Sequence, residues 1–100
     1  MSLTIKNSFF SLKSLKSALP TTPLCLHGTD GLTGSLFRSC ISAGVSKVNV
    51  NSGPREGYVA NLRSGLRELP LPDAIEDATS CFAWECERLM DELGSTGRAD

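Results

Sequence analysis

The chain contains only two short stretches with the pattern of β-strands, and this limits the folds open to it. Residues 24–26 (LCL) form an apolar run bounded by turn residues, and residues 45–51 (VSKVNVN) alternate β-branched and polar side chains. One helical pattern, over residues 32–41, lies between them. Two strands joined by one helix form a parallel βαβ unit with a right-handed crossover. Because a two-stranded parallel sheet has open edges, the pattern predicts a segment of a larger α/β fold.

Helical spacing of apolar residues accounts for most of the remaining chain. A helix that ends at Pro20 precedes the first strand, and two helices follow the second strand. The last helix has the clearest apolar stripe, with Gly94 as its stop and Asp73 as a plausible N-cap. The predicted order is helix, strand, helix, strand, helix, helix. We expect residues 1–100 to form a single segment in which residues 1–7 are disordered.

Composition and charge exclude some classes of partner. The formal net charge is −1, so neither nucleic-acid binding nor attachment to a membrane surface has electrostatic support. Residues 1–50 are net basic and residues 51–100 net acidic, a pattern more typical of solvated helix faces than of a binding surface. The longest apolar runs fall short of a membrane span.

Cysteine usage and the amino terminus bear on the cellular compartment. Cys25, Cys40, Cys81 and Cys86 form no CxxC pair, and no secretory signal precedes them, so we expect reduced thiols in the cytoplasm. A redox or metal protein that uses these cysteines is a weaker alternative. An organellar transit peptide is another, because the first 29 residues contain no acid and several serines; however, no arginine precedes Arg38.

The single histidine, His27, directly follows the first predicted strand. Neutral imidazole is a good zinc ligand, but a catalytic zinc takes three protein ligands. From spacing alone, a histidine that is hydrogen-bonded at a strand end is therefore the simpler interpretation. Cys25 shares the strand face of His27, and we interpret it as a small core residue rather than a ligand.

Four blocks of sequence resemble the carboxyl-terminal part of the class II, metal-dependent ketose-bisphosphate aldolases. They are PLCLHGTDGL at 23–32, AGVSKVNVNS at 43–52, REGYVANLRSGL at 55–66 and LGSTGRA at 93–99. No block is decisive alone, but their order and spacing are fairly specific. The resemblance implies a partial (β/α)₈ TIM barrel, in which this chain supplies the last two parallel strands and their helices. In such barrels the active site lies at the carboxyl ends of the strands.

The resemblance implies roles for the residues that follow the first strand. His27 matches the metal-ligand histidine of the family, which implies Zn²⁺ as cofactor. Gly28 and Asp30 match a Gly-Gly-Ser-Gly loop that holds a substrate phosphate, but here threonine and aspartate replace the second glycine and the serine. A carboxylate ~4 Å from a phosphate charge costs about 4 kcal/mol at an effective dielectric constant of ~20. Asp30 is also a plausible N-cap for a helix that begins near Gly31.

The residues at the carboxyl end of the second predicted strand match the family motif Asn-Val-Asn-Thr. By this resemblance Asn49, Val50, Asn51 and Ser52 are substrate-binding residues. In the family the first asparagine contacts the dihydroxyacetone portion of the substrate and the threonine contacts a phosphate, which implies these roles for Asn49 and for the hydroxyl of Ser52. Ser52 also comes just before a predicted helix, whose first amides favour an anion. An ordinary strand-to-helix turn is the simpler interpretation of the same residues.

The function implied by the resemblance is zinc-dependent, reversible aldol cleavage of a ketose bisphosphate, such as fructose 1,6-bisphosphate, to dihydroxyacetone phosphate and an aldehyde. The chain offers no second histidine and no catalytic carboxylate, so we assign no catalytic residue and expect it to be inactive alone. The expected partners are a phosphorylated sugar, the rest of a barrel or a second copy of the chain. The alternative is a non-catalytic interaction module that pairs through its open sheet edges.

Overall fold

The computed structural model describes residues 5–99, with the side chains of residues 11–99. The elements are α1 (Ile5–Ala18), β1 (Leu24–Leu26), α2 (Gly34–Ser42), β2 (Val45–Val48), α3 (Ser52–Glu68) and α4 (Leu71–Leu93). They fall into two compact units, the first ending at Asn49 and the second beginning at Val50. Both the predicted element order and the α/β class are confirmed. The expected disorder of residues 1–7 stays a prediction, because residues 1–4 lie outside the described part; helix α1 begins at Ile5.

The two strands pair in parallel, as the single helix between them requires. Leu24 is opposite Val45 and Leu26 is opposite Val48, with an irregularity in the ladder just after Leu24. Strand β2 ends at Val48 and is shorter than the predicted 45–51. Its partner has only three residues, so the chain after Asn49 has no strand to pair with.

The buried side chains of the first unit come from α2, β2 and the loop after β1. Phe37 of α2 is 3% exposed and Val45 of β2 is 5% exposed, and the two elements contact each other. Thr33 caps α2, since its hydroxyl accepts the N–H of Leu36 at 3.3 Å. The prediction that Asp30 is the cap was therefore wrong, because the helix begins three residues later than expected.

Cys25 was predicted to be a small core residue, and the structure corrects this. Its neighbours Leu24 and Leu26 are half-buried, whereas Cys25 is exposed. Successive strand residues point to opposite faces, and the residue opposite Cys25 in the ladder, Lys47, is exposed too. One face of the sheet is therefore open to solvent at this position.

The second unit is a helical hairpin in which small residues let α3 and α4 approach closely. A β-carbon built on Gly65 would lie 3.2 Å from the β-carbon of Ala74, and Ala74 and Ala78 are completely buried. The ring of Tyr58 meets the ring of Phe82 edge-on, with centroids 6.3 Å apart. These contacts show which side of each helix faces the other.

Helix α4 begins and ends close to the predicted positions. Gly94 ends it in the left-handed conformation (φ 75°), as predicted, but the N-cap position is Pro70 rather than Asp73. Asp73 lies in the first turn, where a carboxylate interacts favourably with the helix dipole. Trp84 is 61% exposed, and it does not share the side of α4 that carries the buried alanines.

A large part of the apolar surface of this hairpin has no cover. Leu71, Ile75 and Phe82 share one side of α4 and are all exposed. On α3, Val59 and Leu66 are seven residues apart, share a side, and are exposed as well. The Tyr58–Phe82 contact places the two stripes on the same side of the hairpin, which we call the uncovered apolar face.

Arg88 links two carboxylates on the surface of α4. Its guanidinium forms ion pairs with Glu85 and Glu92, three residues earlier and four residues later. The hydrogen bond from Arg88 lowers the pKa of Glu85 below its ordinary value. No helix among residues 5–99 combines the length and the hydropathy needed to cross a bilayer.

The Gly65–Ala74 approach predicts that a larger side chain at position 65 destabilises the hairpin. We expect Gly65→Leu to lower the free energy of unfolding by about 1–3 kcal/mol, because the added atoms overpack the crossing point. Chemical denaturation measures this. Gly53→Leu is the matched control, since a β-carbon there meets no atom within 4 Å; equal effects of the two variants would contradict the packing argument.

The lowered pKa of Glu85 predicts a small dependence of stability on pH. The carboxylate of Glu85 stabilises the folded state above its unfolded-state pKa of 4.5, and this contribution is lost as pH falls through the lower folded-state value. We therefore expect Glu85→Gln to reduce the loss of stability on acidification below about pH 4.5, as thermal melts across pH 3–6 would show. Glu87→Gln, on the same helix and exposed, is the control. The same pH dependence in all three proteins would refute the assignment.

Candidate functional site

Parallel pairing brings the residues that follow the two strands to one edge of the sheet. His27 directly follows β1, and Asn49 directly follows β2. The backbone N–H of Asn49 donates to the carbonyl of Leu26 at 2.9 Å, so the ladder continues as far as these two residues. The prediction that the histidine and the first asparagine are neighbours at the carboxyl ends of the strands is thus confirmed.

The side chains of His27 and Asn49 are also in contact. The side-chain amide nitrogen of Asn49 lies 3.2 Å from Nδ1 and 3.4 Å from Nε2 of the imidazole. An amide NH₂ group donates, and the two distances differ by little, so the amide lies against the ring beside both nitrogens rather than pointing at one of them. The ring is otherwise exposed, and Asn49 is half-buried.

The loop after His27 turns sharply between two glycines. Gly28 and Gly31 have φ angles of 65° and 75°, which residues other than glycine rarely adopt. The backbone N–H of Leu32 donates to the carbonyl of Thr29 at 3.2 Å and closes the turn. Asp30 lies in the middle of this turn with its side chain exposed. A carboxylate thus occupies the tip of the loop that the resemblance assigns to a phosphate.

Thr29 is the site residue that sequence reasoning missed. It is only 8% exposed, and its hydroxyl donates to the backbone carbonyl of Asn49 at 2.9 Å. The one signal in the sequence was a threonine at a loop position that is glycine in the family motif. The direction of the threonine side chain could not be deduced from that signal, because it depends on the conformation of the whole loop, in which Gly28 has a positive φ.

Val50, Asn51 and Ser52 belong to the second unit and are described within it. Asn51 holds the N-cap position of α3, where its carbonyl, not its side chain, accepts the N–H of Arg55 at 3.1 Å. Ser52 is the first residue of that helix, so the predicted helix start is confirmed. Substrate contacts by these three residues stay predictions.

The described residues do not form a zinc site by themselves. Within residues 5–99, no three His, Cys, Asp or Glu side chains lie close enough together to hold a metal ion. A catalytic zinc needs three protein ligands, and His27, which is exposed, is the single histidine of the chain. Both interpretations of His27, as a metal ligand and as a histidine hydrogen-bonded at a strand end, agree with this geometry.

Cys40, Cys81 and Cys86 are half-buried free thiols on the helices. Burial raises the pKa of the Cys40 thiol, which makes it less reactive. Cys81 and Cys86 are five residues apart on α4 and point in different directions. The described cysteines thus offer no support for the alternative of a redox or metal protein.

Comparison with known proteins identifies the family. The sequence profile of the family named fructose-bisphosphate aldolase class II matches residues 4–98. The chain therefore belongs to this family over nearly its whole length. A candidate fructose-bisphosphate aldolase of Coccidioides immitis is 39% identical over 77 residues, and a fructose-bisphosphate aldolase of Streptococcus pneumoniae is 28% identical over 101 residues. These alignments include 77% and 88% of this chain but only 26% and 34% of the relatives. The chain thus spans about a quarter to a third of their length.

Solved structures agree on the fold. The crystal structure of the Coccidioides immitis candidate aldolase superposes with a TM-score of 0.85 at 34% identity, over 97% of this chain and 36% of the other. The YdjI aldolase of Escherichia coli K12 superposes with a TM-score of 0.84 at 21% identity, over 92% of this chain and 35% of the other. In each of these two structures, the part that superposes on this chain belongs to a larger fold.

The left-handed backbone of Gly28 predicts a strain penalty for any side chain at this position. We expect Gly28→Ala to lower the free energy of unfolding by about 1 kcal/mol, because φ is 65° while a β-carbon would meet no atom within 4 Å. Thermal unfolding measures the loss. Gly53→Ala, in open space on a helix with ordinary φ, should be neutral or stabilising. A neutral Gly28→Ala would argue against this loop conformation.

Proposed function

We propose that this chain supplies the closing part of a class II aldolase barrel and one rim of its active site. The observation that carries the proposal is the contact of His27 with Asn49 at the carboxyl ends of two parallel strands. Active sites of such barrels lie at that end. The proposed reaction is reversible aldol cleavage of a ketose bisphosphate to dihydroxyacetone phosphate and an aldehyde.

In this proposal His27 is one ligand of a Zn²⁺ ion, and the other ligands come from barrel strands that this chain does not contain. When bound, zinc would supply Lewis-acid polarisation of the ketose carbonyl. Support comes from the position of His27, which is exposed and directly follows β1 at the carboxyl end of the sheet. The side chain of Asn49 lies against this ring, with its amide nitrogen 3.2 Å from Nδ1.

The proposed substrate is a phosphorylated sugar, and the family resemblance implies substrate contacts for Gly28 and Asn49 and for residues at the start of α3. The first amides of α3, at Asn51 and Ser52, follow the site directly along the chain, and helix N-termini favour anions. Asp30 opposes phosphate binding in the first loop. We therefore assign the phosphate to the Val50–Ser52 side and expect Asp30 to weaken any second anion contact.

The uncovered apolar face supports association with the rest of a barrel. Among residues 11–99 no large side chain is fully buried, while eleven large apolar side chains are exposed. Such a surface is unusual in a free-standing soluble domain and typical of an interaction site. The proposed partner is a polypeptide that carries the preceding strands and helices of the barrel. The alternative is a non-catalytic module that pairs through its open sheet edges.

Co-expression tests the catalytic proposal. The partner is the Coccidioides immitis aldolase truncated before the segment that this chain matches. We expect the co-purified complex to cleave fructose 1,6-bisphosphate with added zinc. We expect His27→Ala to reduce this activity by at least about 100-fold, more than loss of an outer contact to a ligand would cost.

The control is Glu87→Ala, an exposed change on α4 that should leave activity unchanged. A complex that forms but has no activity, or one that retains activity without His27, would favour the interaction module. Aldol cleavage by the 100-residue chain alone would refute the need for a partner. Calorimetry on the isolated chain should give weak zinc binding, since only one ligand is present.

A further inference from the structure

We infer that Thr29 is a positioning residue that holds the His27 imidazole in place through Asn49. Its role does not follow from the family motif, where a glycine stands at this position. Thr29 is the one buried polar side chain found among residues 11–99, at 8% exposure. Its two neighbours in the chain, Gly28 and Asp30, are exposed, so Thr29 is the one residue of this turn that points inward.

The first step of the argument is that Asn49 is fixed at both of its backbone groups. Its N–H donates to the carbonyl of Leu26, and its carbonyl accepts the hydroxyl of Thr29, each at 2.9 Å. These two partners lie immediately before and two residues after His27 in the chain. A hydrogen bond on each side holds the peptide planes that flank the α-carbon of Asn49, and so sets the direction of its side chain.

The second step is that the fixed side chain of Asn49 restrains the histidine ring. The Asn49 amide lies within hydrogen-bonding distance of the ring nitrogens of His27, at 3.2 and 3.4 Å, and among the described residues the ring has no other hydrogen-bond partner. An exposed imidazole without such a partner rotates freely about its side-chain torsions. Removing the Thr29 hydroxyl should therefore loosen His27, although the two side chains share no hydrogen bond.

The third step is that glycine cannot do this. A glycine at position 29 would leave the carbonyl of Asn49 without a side-chain donor, and water would have to take its place. Thr29 supplies the donor, and because its β-branched side chain has few rotamers the hydroxyl is held towards the carbonyl of Asn49. The threonine thus replaces a flexible loop position by a cross-link between the two strand ends.

Chemical modification of the only histidine tests the inference on the full chain. Diethyl pyrocarbonate reacts with neutral imidazole, and with a single histidine the change in absorbance at 240 nm reports His27 alone. We expect Thr29→Val to raise the rate of modification about fivefold, the factor that corresponds to losing one typical neutral hydrogen bond. Thr29→Ser keeps the donor and should react at the wild-type rate.

The matched control is Thr33→Val, which removes the hydroxyl that caps α2 in the same unit. It should lower stability but leave the modification rate unchanged, so an equal rise in both variants would show a general loosening and overturn the inference. In an Asn49→Ala background, Thr29→Val should add nothing, because the restraint on the ring is already gone. An additive effect would overturn it as well.

Nuclear magnetic resonance gives a second readout that does not depend on the reagent. The side-chain amide protons of Asn49 should show a nuclear Overhauser effect to the ring Hε1 of His27 in the wild type and in Thr29→Ser, and lose it in Thr29→Val. If Thr29→Val does not fold, Asn49→Ala must still raise the modification rate and Thr29→Ser must not; failure of either result overturns the inference. The catalytic consequence rests on the proposed function, but these measurements do not need aldolase activity.

Discussion

The parallel pairing of β1 and β2 is the constraint on which the rest of the first unit depends. Each strand is very short, and the ladder between them ends with the bond from the Asn49 N–H to Leu26. Because the strands run in the same direction, their last residues meet at one edge, and the loops that follow begin side by side. Antiparallel pairing would have placed His27 and Asn49 at opposite ends of the sheet.

The site is built outward from this edge by hydrogen bonds rather than by packing. Asn49 is its centre: its N–H and carbonyl are bonded to residues on either side of His27, and its amide reaches the ring. These three contacts fix the positions of residues in a loop where His27, Gly28 and Asp30 are exposed. A chain with few buried large side chains can therefore still present one functional group in a defined orientation.

The second unit illustrates the opposite case, in which packing between helices is close but incomplete. Gly65 and Ala74 bring α3 and α4 together along one line, and beyond it the apolar residues of both helices are open. Removing the exposed apolar side chains of both helices from water would be favourable. Within the described residues these side chains have no such cover. The relatives that the chain matches are about three times as long as it is.

The sequence by itself determined the element order, the parallel pairing, the family and the meeting of His27 with Asn49. These follow from periodicity, from the rule for βαβ connections and from motif order, all of which are local or topological. Tertiary structure alone decided that Thr29 points inward, that Thr33 rather than Asp30 caps α2, and that Cys25 and Trp84 are exposed. The direction of a loop side chain depends on the glycine beside it, and burial depends on which neighbours are present; neither is a property of the residue itself.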